Sequence, residues 1–503
     1  MPFIALIVEF LRARPAALAA AAIGAQGLIW VLLPTILYAS PPGELAQVLA
    51  VGHEWQIGSW LGPPLAPWLA ELAFRAAGWF GVYLLAQICV AAALWVSFAL
   101  GRRLLGATYA AMAVLLMAGV LALTVPTPDF GPAVLAMPLT ACALLAYWRG
   151  LTERRAAQWL ILGGVLGLLG LTSSWALLLM ALLAVFTVAT PEGRAALRDF
   201  DPWAAAALAL VIPFPYIGWL YRTGLPFPQP LDLAATTSAL LRWPVMVAAV
   251  ALAHAGFALL VLTASPAGAD RQAQVPELER APFLPLTQRF AVFFALAPII
   301  AGTLVIAALD RPLAETWSGY LMLMSGIGLM AVVPTPLRIF RQHLLGPVWL
   351  AVLLAPPAAI AGIILILPWT SAAELVTQEP ASAMARFFTD SFHRRVGQKL
   401  EIVVGDTRDA YLIAAASHDR PSVASAEHRD RTPWVTDADI ARKGGVVVWP
   451  LRGTSAEPPP ALRARFPDLV AEVPPSFRRP IQGLLPTYRL GWGVIRPSTS
   501  IAK

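Results

Sequence analysis

The first 370 residues alternate between long apolar runs and short polar interruptions. Eleven runs approach the roughly 20 residues that a bilayer-spanning helix needs, and they lie near 15–39, 79–100, 106–125, 131–148, 157–171, 175–190, 203–221, 244–265, 288–309, 317–334 and 345–369. The two runs between Ala157 and Thr190 could instead form one long tilted helix, although Thr172-Ser173-Ser174 is a plausible turn. The pattern predicts an all-α polytopic membrane domain of about eleven transmembrane helices over residues 1–369.

From about Thr370 charged residues become frequent and the long apolar runs stop. The segment KLEIVVGDTRDAYLIAAA predicts a strand, a turn and a helix. The segment TDADIARKGGVVVWP predicts a helix capped by Thr436 or Asp437 and a strand from Val446 to Trp449. Alternating elements of this kind predict a small α/β domain over residues 370–503.

Arginine marks one set of alternate loops. These loops carry Arg12, Arg14, Arg102, Arg103, Arg149, Arg154, Arg155, Arg194, Arg198, Arg271, Arg280, Arg338 and Arg341, whereas the other loops carry only Arg75, Arg222, Arg242 and Arg311. The positive-inside rule places the first set in the cytoplasm. We therefore expect a cytoplasmic N-terminus, an external loop at residues 40–78 and an external C-terminal domain.

Composition excludes several classes of protein. With 58% hydrophobic and 13% charged residues, the chain is too apolar for an ordinary soluble protein. The net charge is +7, but no basic run in the chain is interleaved with aromatic residues. We therefore expect no nucleic-acid partner. Cys89 and Cys142 both lie inside apolar runs, where they predict neither a disulfide framework nor a cysteine-rich metal site.

The polar interruption from Ser40 to Trp68 is the strongest functional signal. It places Glu44, Gln47, His53, Glu54 and Gln56 among tryptophans and prolines beside a predicted spanning helix. Ionisable groups are costly at a membrane face, so they are candidates for function. The alternative is an ordinary external loop whose Pro63 and Pro64 start the next helix.

Residues 63–78 (PPLAPWLAELAFRAAG) cluster their apolar side chains and place Glu71 and Arg75 four positions apart. This pattern predicts an amphipathic helix that starts at the prolines and lies on the membrane surface. The alternative is a simple extension of the next spanning helix.

The stretch GHEWQIGSWLGPPLAPWLAELAFRAAG resembles the first large loop of bacterial glycosyltransferases of the protein-O-mannosyltransferase and aminoarabinose-transferase superfamily. The shared residues are Gly52, Glu54, Trp55, Gln56, Gly58, Pro63, Pro64 and Leu65. The chain departs from the family pattern at His53, where arginine is usual, at Leu61-Gly62, where Lys-His is usual, and at Gly43-Glu44, where an aspartate is expected.

The resemblance implies a GT-C fold and an inverting enzyme of the bacterial inner membrane, with its active site on the periplasmic face. Its donor would be a polyprenyl-phosphate sugar, and its acceptor a lipid or a cell-envelope glycan. Because the phosphate of the donor is itself the leaving group, such an enzyme needs no nucleotide-binding domain and no cofactor, although a divalent metal stays possible.

The resemblance also implies a carboxylate base just after the first helix, where the nearest acid is Glu44. The alternative for Glu44 is a solvated loop acid. Asp129 matches the position of a second acid after the third helix, and its alternative role is an N-cap for the fourth helix.

Further residues are candidates for substrate binding. His53 and Glu54 could orient the acceptor, or hold a metal ion if other ligands were supplied. Gln56, Trp60 and Trp317 offer polar and aromatic contacts to a sugar. Arg222, Arg242 and Arg311 could bind the phosphate, or anchor the protein to lipid headgroups. We expect Glu44, Asp129, His53 and Glu54 to converge on one outward-facing cavity.

Two other functions are compatible with the sequence. A catalytically degenerate relative could bind polyprenyl lipid or serve as a scaffold, as the departures from the family pattern suggest. A secondary transporter is less favoured, because charges are scarce inside the spans and no matching pair of Gly/Pro-broken segments is evident.

Overall fold

The computed structural model describes residues 9–223, 233–265, 277–371, 373–451 and 457–498. The chain divides into two compact units. The first unit consists of Met1–Leu32 with Tyr83–Ala359, and the second of Leu33–Val82 with Ile360–Lys503. The sequence analysis assigns the loop at residues 40–78 to the transmembrane domain 1–369. In the structure this loop belongs to the same compact unit as the C-terminal residues.

Helices dominate as far as residue 370. In chain order they are Pro15–Leu37, Leu45–His53, Leu65–Leu105, Ala107–Met117, Pro132–Glu153, Ala156–Gly170, Trp175–Ala189, Pro191–Ala196, Asp201–Val211, Phe214–Thr223, Leu233–Ala253, Ala255–Ala264, Pro285–Ala308, Ser325–Val332 and Gln342–Thr370. Two short strands, Glu277–Leu278 and Leu337–Arg338, pair antiparallel in the first unit.

Each of the eleven predicted apolar segments coincides with helical structure. Within the described ranges, five helices are long and apolar enough to cross a membrane, and up to seven if each of two bent pairs forms one span. The bent pairs join Asp201–Val211 to Phe214–Thr223 at 45° and the residues before and after His254 at 55°. The chain is therefore a mostly helical multi-pass membrane protein, while the count of eleven spans stays a prediction.

The second half of the predicted loop between the spans 203–221 and 244–265 is helical. The helix Leu233–Ala253 begins before Pro244 and contains it. Alanine and leucine, which are frequent in this segment, favour a helix. Residues 224–232 of the same predicted loop lie outside the described residues.

The long helix Leu65–Leu105 is interrupted at Ala77 (φ −151°, ψ 25°) and Gly78 (φ 60°, ψ −145°). The break falls at the predicted boundary between the amphipathic segment 63–78 and the spanning segment 79–100. Residues 65–76 therefore form a helical segment with its own direction, and not a straight extension of the spanning helix.

The C-terminal part contains a five-stranded mixed sheet with helices packed on it. From one edge to the other the strands are Ser422–Ala424, Ile402–Val404, Gly445–Pro450, Tyr488–Ile495 and Ser476–Phe477. The first three strands are parallel and the last two pairings are antiparallel. The associated helices are Ala381–Val396, Arg408–Ala416, Asp437–Lys443 and Pro460–Arg465.

The local predictions for this sheet are confirmed. Ile402–Val404 is a strand followed by the helix Arg408–Ala416. Thr436 caps the helix Asp437–Lys443 through a capping box with Asp439, and the strand Gly445–Pro450 follows. Ala46, from the polar interruption near the N-terminus, belongs to the same buried cluster as Phe388, Phe392 and Trp492.

Candidate functional site

The carboxylate of Glu71 is the centre of a buried ionic cluster in the second unit. Its side chain is 1% exposed and contacts three cationic or potentially cationic groups. Arg75 Nε donates to Oε1 at 2.9 Å, and His53 Nδ1 lies 3.2 Å from the same oxygen. Arg420 donates to Oε2. A buried carboxylate needs such partners, because an unpaired charge is costly to remove from water.

Gly52 explains how His53 reaches this cluster. The helix Leu45–His53 ends against the start of the next helix, and a Cβ atom built on Gly52 would lie 2.2 Å from the backbone oxygen of Pro67. Any larger residue would push the two helices apart and separate His53 from Glu71. The glycine of the GHEWQ segment therefore serves close backbone packing.

Glu54 lies beside the cluster and is half-buried. Burial raises the pKa of its carboxyl group above the ordinary value, and a hydrogen bond from Ser422 and the charges of His53 and Lys443 offset only part of this rise. Its Oε1 atom is buried and has no hydrogen-bond partner among the described residues. Glu54 therefore combines a carboxyl group whose pKa is raised with a buried oxygen that has no partner among the described residues.

Aromatic rings surround the same residues. Trp55 and Trp68 have ring centroids 6.2 Å apart, and the guanidinium of Arg75 lies 5.5 Å from the Trp55 centroid. Trp60 is half-buried, with Arg431 lying 5.3 Å from its ring centroid. Gln56 Nε2 donates to the backbone oxygen of Glu54 at 3.3 Å. Of the predicted residues, His53 contacts Glu71 directly, and Glu54, Gln56 and Trp60 lie in the same unit.

Glu44 is exposed and immediately precedes the helix Leu45–His53. The preceding residue, Gly43, has φ 49°, a conformation that favours glycine. Arg408 fixes this turn, because its guanidinium donates to the backbone oxygens of Pro41 and Gly43 and to Glu379 Oε2, the last at 2.8 Å. The position of Glu44 therefore depends on an arginine of the C-terminal α/β part.

The chain just before this turn is also held by the C-terminal part. Ala39 and Ser40 donate their backbone N–H groups to Thr377 O, and Ser40 Oγ donates to Val376 O at 2.6 Å. Gln378 Nε2 donates to Leu37 O at 2.7 Å. These bonds leave little freedom in the backbone that leads to Glu44.

Asp129 lies in the first unit and is half-buried. The N-cap of the helix Pro132–Glu153 is Gly131, so the alternative role of Asp129 as the N-cap is wrong. The turn that carries Asp129 is fixed by polar side chains: Gln87 Nε2 donates to Thr127 Oγ1 at 2.9 Å, and Thr127 Oγ1 donates to Thr124 O at 2.6 Å. Because Glu44 belongs to the other unit, the convergence of the two carboxylates stays a prediction.

A cavity of about 390 Å³ in the first unit brings together two of the predicted phosphate ligands. Arg242 and Arg311 both line it. Arg242 is paired with Asp310, and Arg311 Nη2 lies 2.8 Å from Glu315 Oε1. Each arginine thus already has a carboxylate partner. A bound phosphate would have to compete with that carboxylate for the guanidinium group.

The remaining predicted residues of the first unit lie outside that cavity lining. Trp317 Nε1 donates to Ala249 O at 2.9 Å, which fixes its indole against the helix that carries Arg242. Arg222 is exposed in the last turn of the helix Phe214–Thr223, where its Nε donates to Gly218 O at 3.3 Å. This contact is local and does not bring Arg222 to the other candidates.

Sequence reasoning missed the two arginines that organise the candidate site. Arg408 and Arg420 lie in the C-terminal part, where no motif links them to residues 40–78. Glu71 and Arg75 carried a signal, their spacing of four residues, but this spacing indicated only a helical ion pair. The metal alternative for His53 and Glu54 gains no support, since the one group of potential metal ligands found in the described residues is elsewhere.

Residues 62–219 match the family model of dolichyl-phosphate-mannose-protein mannosyltransferase. The match covers about a third of the chain and confirms the resemblance to this superfamily that the sequence indicated. It begins just after the GHEWQ segment and includes Glu71 and Asp129, whereas Glu44 lies before it. No curated protein matches the sequence.

The chain is also similar to two solved structures. ArnT from Cupriavidus metallidurans, bound to undecaprenyl phosphate, is 15% identical with a TM-score of 0.44, over 94% of this chain and 97% of that one. The archaeal oligosaccharyltransferase AglB from Archaeoglobus fulgidus, in complex with an inhibitory peptide and a dolichol-phosphate, is 13% identical with a TM-score of 0.39, over 82% of this chain and 65% of that one. Both TM-scores lie below 0.5, so a function for this chain has to rest on the family match and on its own residues.

Proposed function

We propose that this chain is a membrane glycosyltransferase that moves a sugar from a polyprenyl-phosphate carrier to a lipid or a cell-envelope glycan. The family match over residues 62–219 is the observation that carries the proposal. That segment contains Glu71, which the buried cluster ties to His53 of the GHEWQ segment. The family resemblance and the ionic cluster therefore fall on the same part of the chain.

The proposed reaction is a single inverting displacement. The acceptor hydroxyl attacks the anomeric carbon of the sugar, the bond from that carbon to the phosphate oxygen breaks, and the polyprenyl phosphate leaves. A carboxylate takes the proton of the acceptor as the new bond forms. We assign this role to Glu44, with Asp129 as the other candidate.

The surroundings of Glu44 support this assignment. Its side chain is exposed, so an acceptor can approach it. The turn before it is held by Arg408, which is only 21% exposed, and by the bonds to Val376 and Thr377. Rigid support of this kind suits a catalytic group, because a misplacement of about 1 Å can cost roughly 100-fold in rate.

Arginines are suited to the departing phosphate, because the guanidinium group matches phosphate oxygens in charge and shape. Arg242 and Arg311 line one cavity and are our candidates for this role. Exchange of their present carboxylate partners, Asp310 and Glu315, for the phosphate would couple donor binding to a local rearrangement. We place the reaction on the periplasmic side of a bacterial inner membrane, as the arginine asymmetry between loops suggests.

The proposal is tested with the purified full-length protein, a polyprenyl-phosphate sugar and membrane-derived acceptors. Glu44→Gln keeps the shape of the side chain and removes its basicity, so transfer should fall about 100-fold while binding of the polyprenyl phosphate persists. Glu44→Asp restores the residue that the family pattern leads one to expect and should retain activity. Glu427→Gln, at an exposed acid of the C-terminal part, is the matched control.

Each other outcome has a definite meaning. An active Glu44→Gln with an inactive Asp129→Asn would identify Asp129 as the base. Full activity of both variants would overturn the carboxylate mechanism. Co-purified polyprenyl phosphate in a protein that transfers no sugar to any acceptor would favour the degenerate lipid-binding relative.

A further inference from the structure

Two histidines and an aspartate meet in the C-terminal part, next to the turn that carries Arg420. His393 lies in the last turn of the helix Ala381–Val396. His418 and Asp419 lie in the turn between the helix Arg408–Ala416 and the strand Ser422–Ala424. One potential ligand atom from each of the three lies within 4.8 Å of the other two.

The contacts within this group centre on the aspartate. His393 Nε2 lies 2.7 Å from Asp419 Oδ2, and His418 Nε2 lies 3.3 Å from Asp419 Oδ1. The Asp419 side chain is only 7% exposed, whereas those of His393 and His418 are 37% and 66% exposed. The carboxylate of Asp419 is therefore buried, whereas the two histidines are open to ions from solvent.

The carboxylate is held in place by the backbone. Leu400 donates its N–H to Asp419 Oδ2 at 2.9 Å, and Asp419 donates its own N–H to Ser417 Oγ at 3.2 Å. Ser417 Oγ is in turn 2.9 Å from Thr389 Oγ1, on the helix that carries His393. Such fixing of a carboxylate by outer hydrogen bonds is typical of ligand residues in metal sites.

We infer that His393, His418 and Asp419 form a binding site for a divalent transition-metal ion with the preferences of zinc. Imidazole nitrogen and carboxylate oxygen are ligands that zinc accepts, and three protein ligands leave a fourth position for water. This inference is independent of the proposed glycosyl transfer.

The three ligand atoms lie within 4.8 Å of one another, so an adjustment of the side chains can bring them around one ion. Zinc bonds of about 2.0–2.2 Å in a tetrahedral site place neighbouring ligand atoms roughly 3.3 Å apart. His418 Nε2 is 3.3 Å from Asp419 Oδ1, whereas His393 Nε2 is 2.7 Å from the other oxygen, Oδ2, so the carboxylate would bind the ion through both oxygens or turn to offer one. Metal binding at His393 Nε2 requires that this nitrogen carries no proton, and the pair would open by roughly 0.6 Å.

The nearby cations are engaged elsewhere. Arg420 follows Asp419 in the sequence, but its guanidinium donates to Glu71. Arg394 follows His393, and its Nη2 lies 3.4 Å from Ser391 Oγ. A bound ion would tie the helix of His393 to the turn of Asp419, and so restrain the turn that presents Arg420 to Glu71.

The test uses the full-length protein in detergent, with an affinity tag that lacks histidine, after chelator treatment and dialysis. Titration with zinc sulfate, followed by calorimetry and by elemental analysis after dialysis, should show one tightly bound equivalent. His418→Gln should weaken that binding at least about 100-fold, since even the loss of an outer partner costs 10- to 100-fold. His428→Gln, at an exposed histidine outside the group, should bind zinc as the unchanged protein does.

Zinc-edge X-ray absorption supplies a readout that does not depend on affinity. It should report two imidazole nitrogens, and one after His418→Gln. Because His418 is 66% exposed, its replacement leaves the fold intact and the result interpretable. Absence of a stoichiometric ion, or equal zinc binding by a double variant that replaces both His393 and His418, would overturn the inference.

Discussion

Arg420 donates to the carboxylate of Glu71, although the two residues are 349 positions apart in the sequence. The side chains are 19% and 1% exposed, so the pair is largely removed from water. Residues 65–76 and the turn after the helix Arg408–Ala416 are joined by this contact. The conformation of the loop that carries the GHEWQ segment therefore depends on Arg420, a residue of the C-terminal part.

The first prediction concerns the stability of this pair. Glu71→Gln leaves the buried guanidinium of Arg420 without its counter-charge, so the free energy of unfolding should fall by about 3 kcal/mol. Arg75→Gln is the matched control, because Arg75 is 54% exposed and its pairing should contribute no more than about 1 kcal/mol. Denaturant unfolding in detergent measures both variants, and an equal loss in both would contradict the distinction.

The second prediction treats Arg408 as the residue that positions Glu44. Arg408→Gln removes the guanidinium bonds to Pro41 and Gly43, so kcat of the proposed transfer should fall roughly 10- to 100-fold with little change in KM. Arg386→Gln is the control, since Arg386 is exposed and, among the described residues, its side chain donates within its own helix to Ser382 O. In the Glu44→Gln background the Arg408 change should have no further effect. A multiplicative loss there would show that Arg408 does not act through Glu44.

The third prediction is a pH dependence of stability that arises at Glu54. Burial raises the pKa of this carboxyl group in the folded protein above its unfolded value. The folded state therefore binds more protons than the unfolded state between the two pKa values, and its stability falls as pH rises through that window. Glu54→Gln should remove this part of the fall and leave the variant relatively more stable at neutral pH.

Unfolding measured from pH 4 to pH 8 checks this sign. The stability difference between Glu54→Gln and the unchanged protein should grow with pH above the ordinary glutamate pKa of about 4.3 and then level off. Glu427→Gln, at an exposed acid, should show no such trend. A difference that shrinks as pH rises would mean that ionisation of Glu54 stabilises the folded protein, which would contradict the prediction.

The fourth prediction concerns topology. A reporter fused after Lys503 should be active only outside the cytoplasm, and one inserted near Ala267 only inside it, because of the arginine asymmetry between alternate loops. Both fusion points lie outside the residues that the structure describes. Cytoplasmic activity of the fusion at Lys503 would contradict the odd number of spans.

The sequence predicted those features that depend on neighbouring residues. Hydropathy located the helices, since apolar runs must bury or face lipid whatever lies further along the chain. Local propensity located the strand at Ile402–Val404 and the cap at Thr436, since both depend on a few adjacent residues. The helix Leu233–Ala253 begins before the predicted span 244–265, because hydropathy marks the apolar part of a helix and not its more polar first turns.

The candidate site was less predictable because its contacts join distant segments. His53 and Glu71 are 18 positions apart and could be linked only through the motif that contains both. Arg408 and Arg420 have no local signal, since an arginine in a polar domain is ordinarily a solvated surface residue. Only the folded structure shows that Arg408 binds Gly43 and that Arg420 binds Glu71.

The second unit unites the early segment Leu33–Val82 with the late segment Ile360–Lys503. During synthesis, the ribosome therefore makes Gly43 and Glu71 long before Arg408 and Arg420, the arginines that bind them. Until residue 420 has been added, the ionic partners of Glu71 among the described residues of its own segment are His53 and Arg75. A chain that stops before residue 420 therefore leaves the carboxylate of Glu71 without the arginine that binds its Oε2.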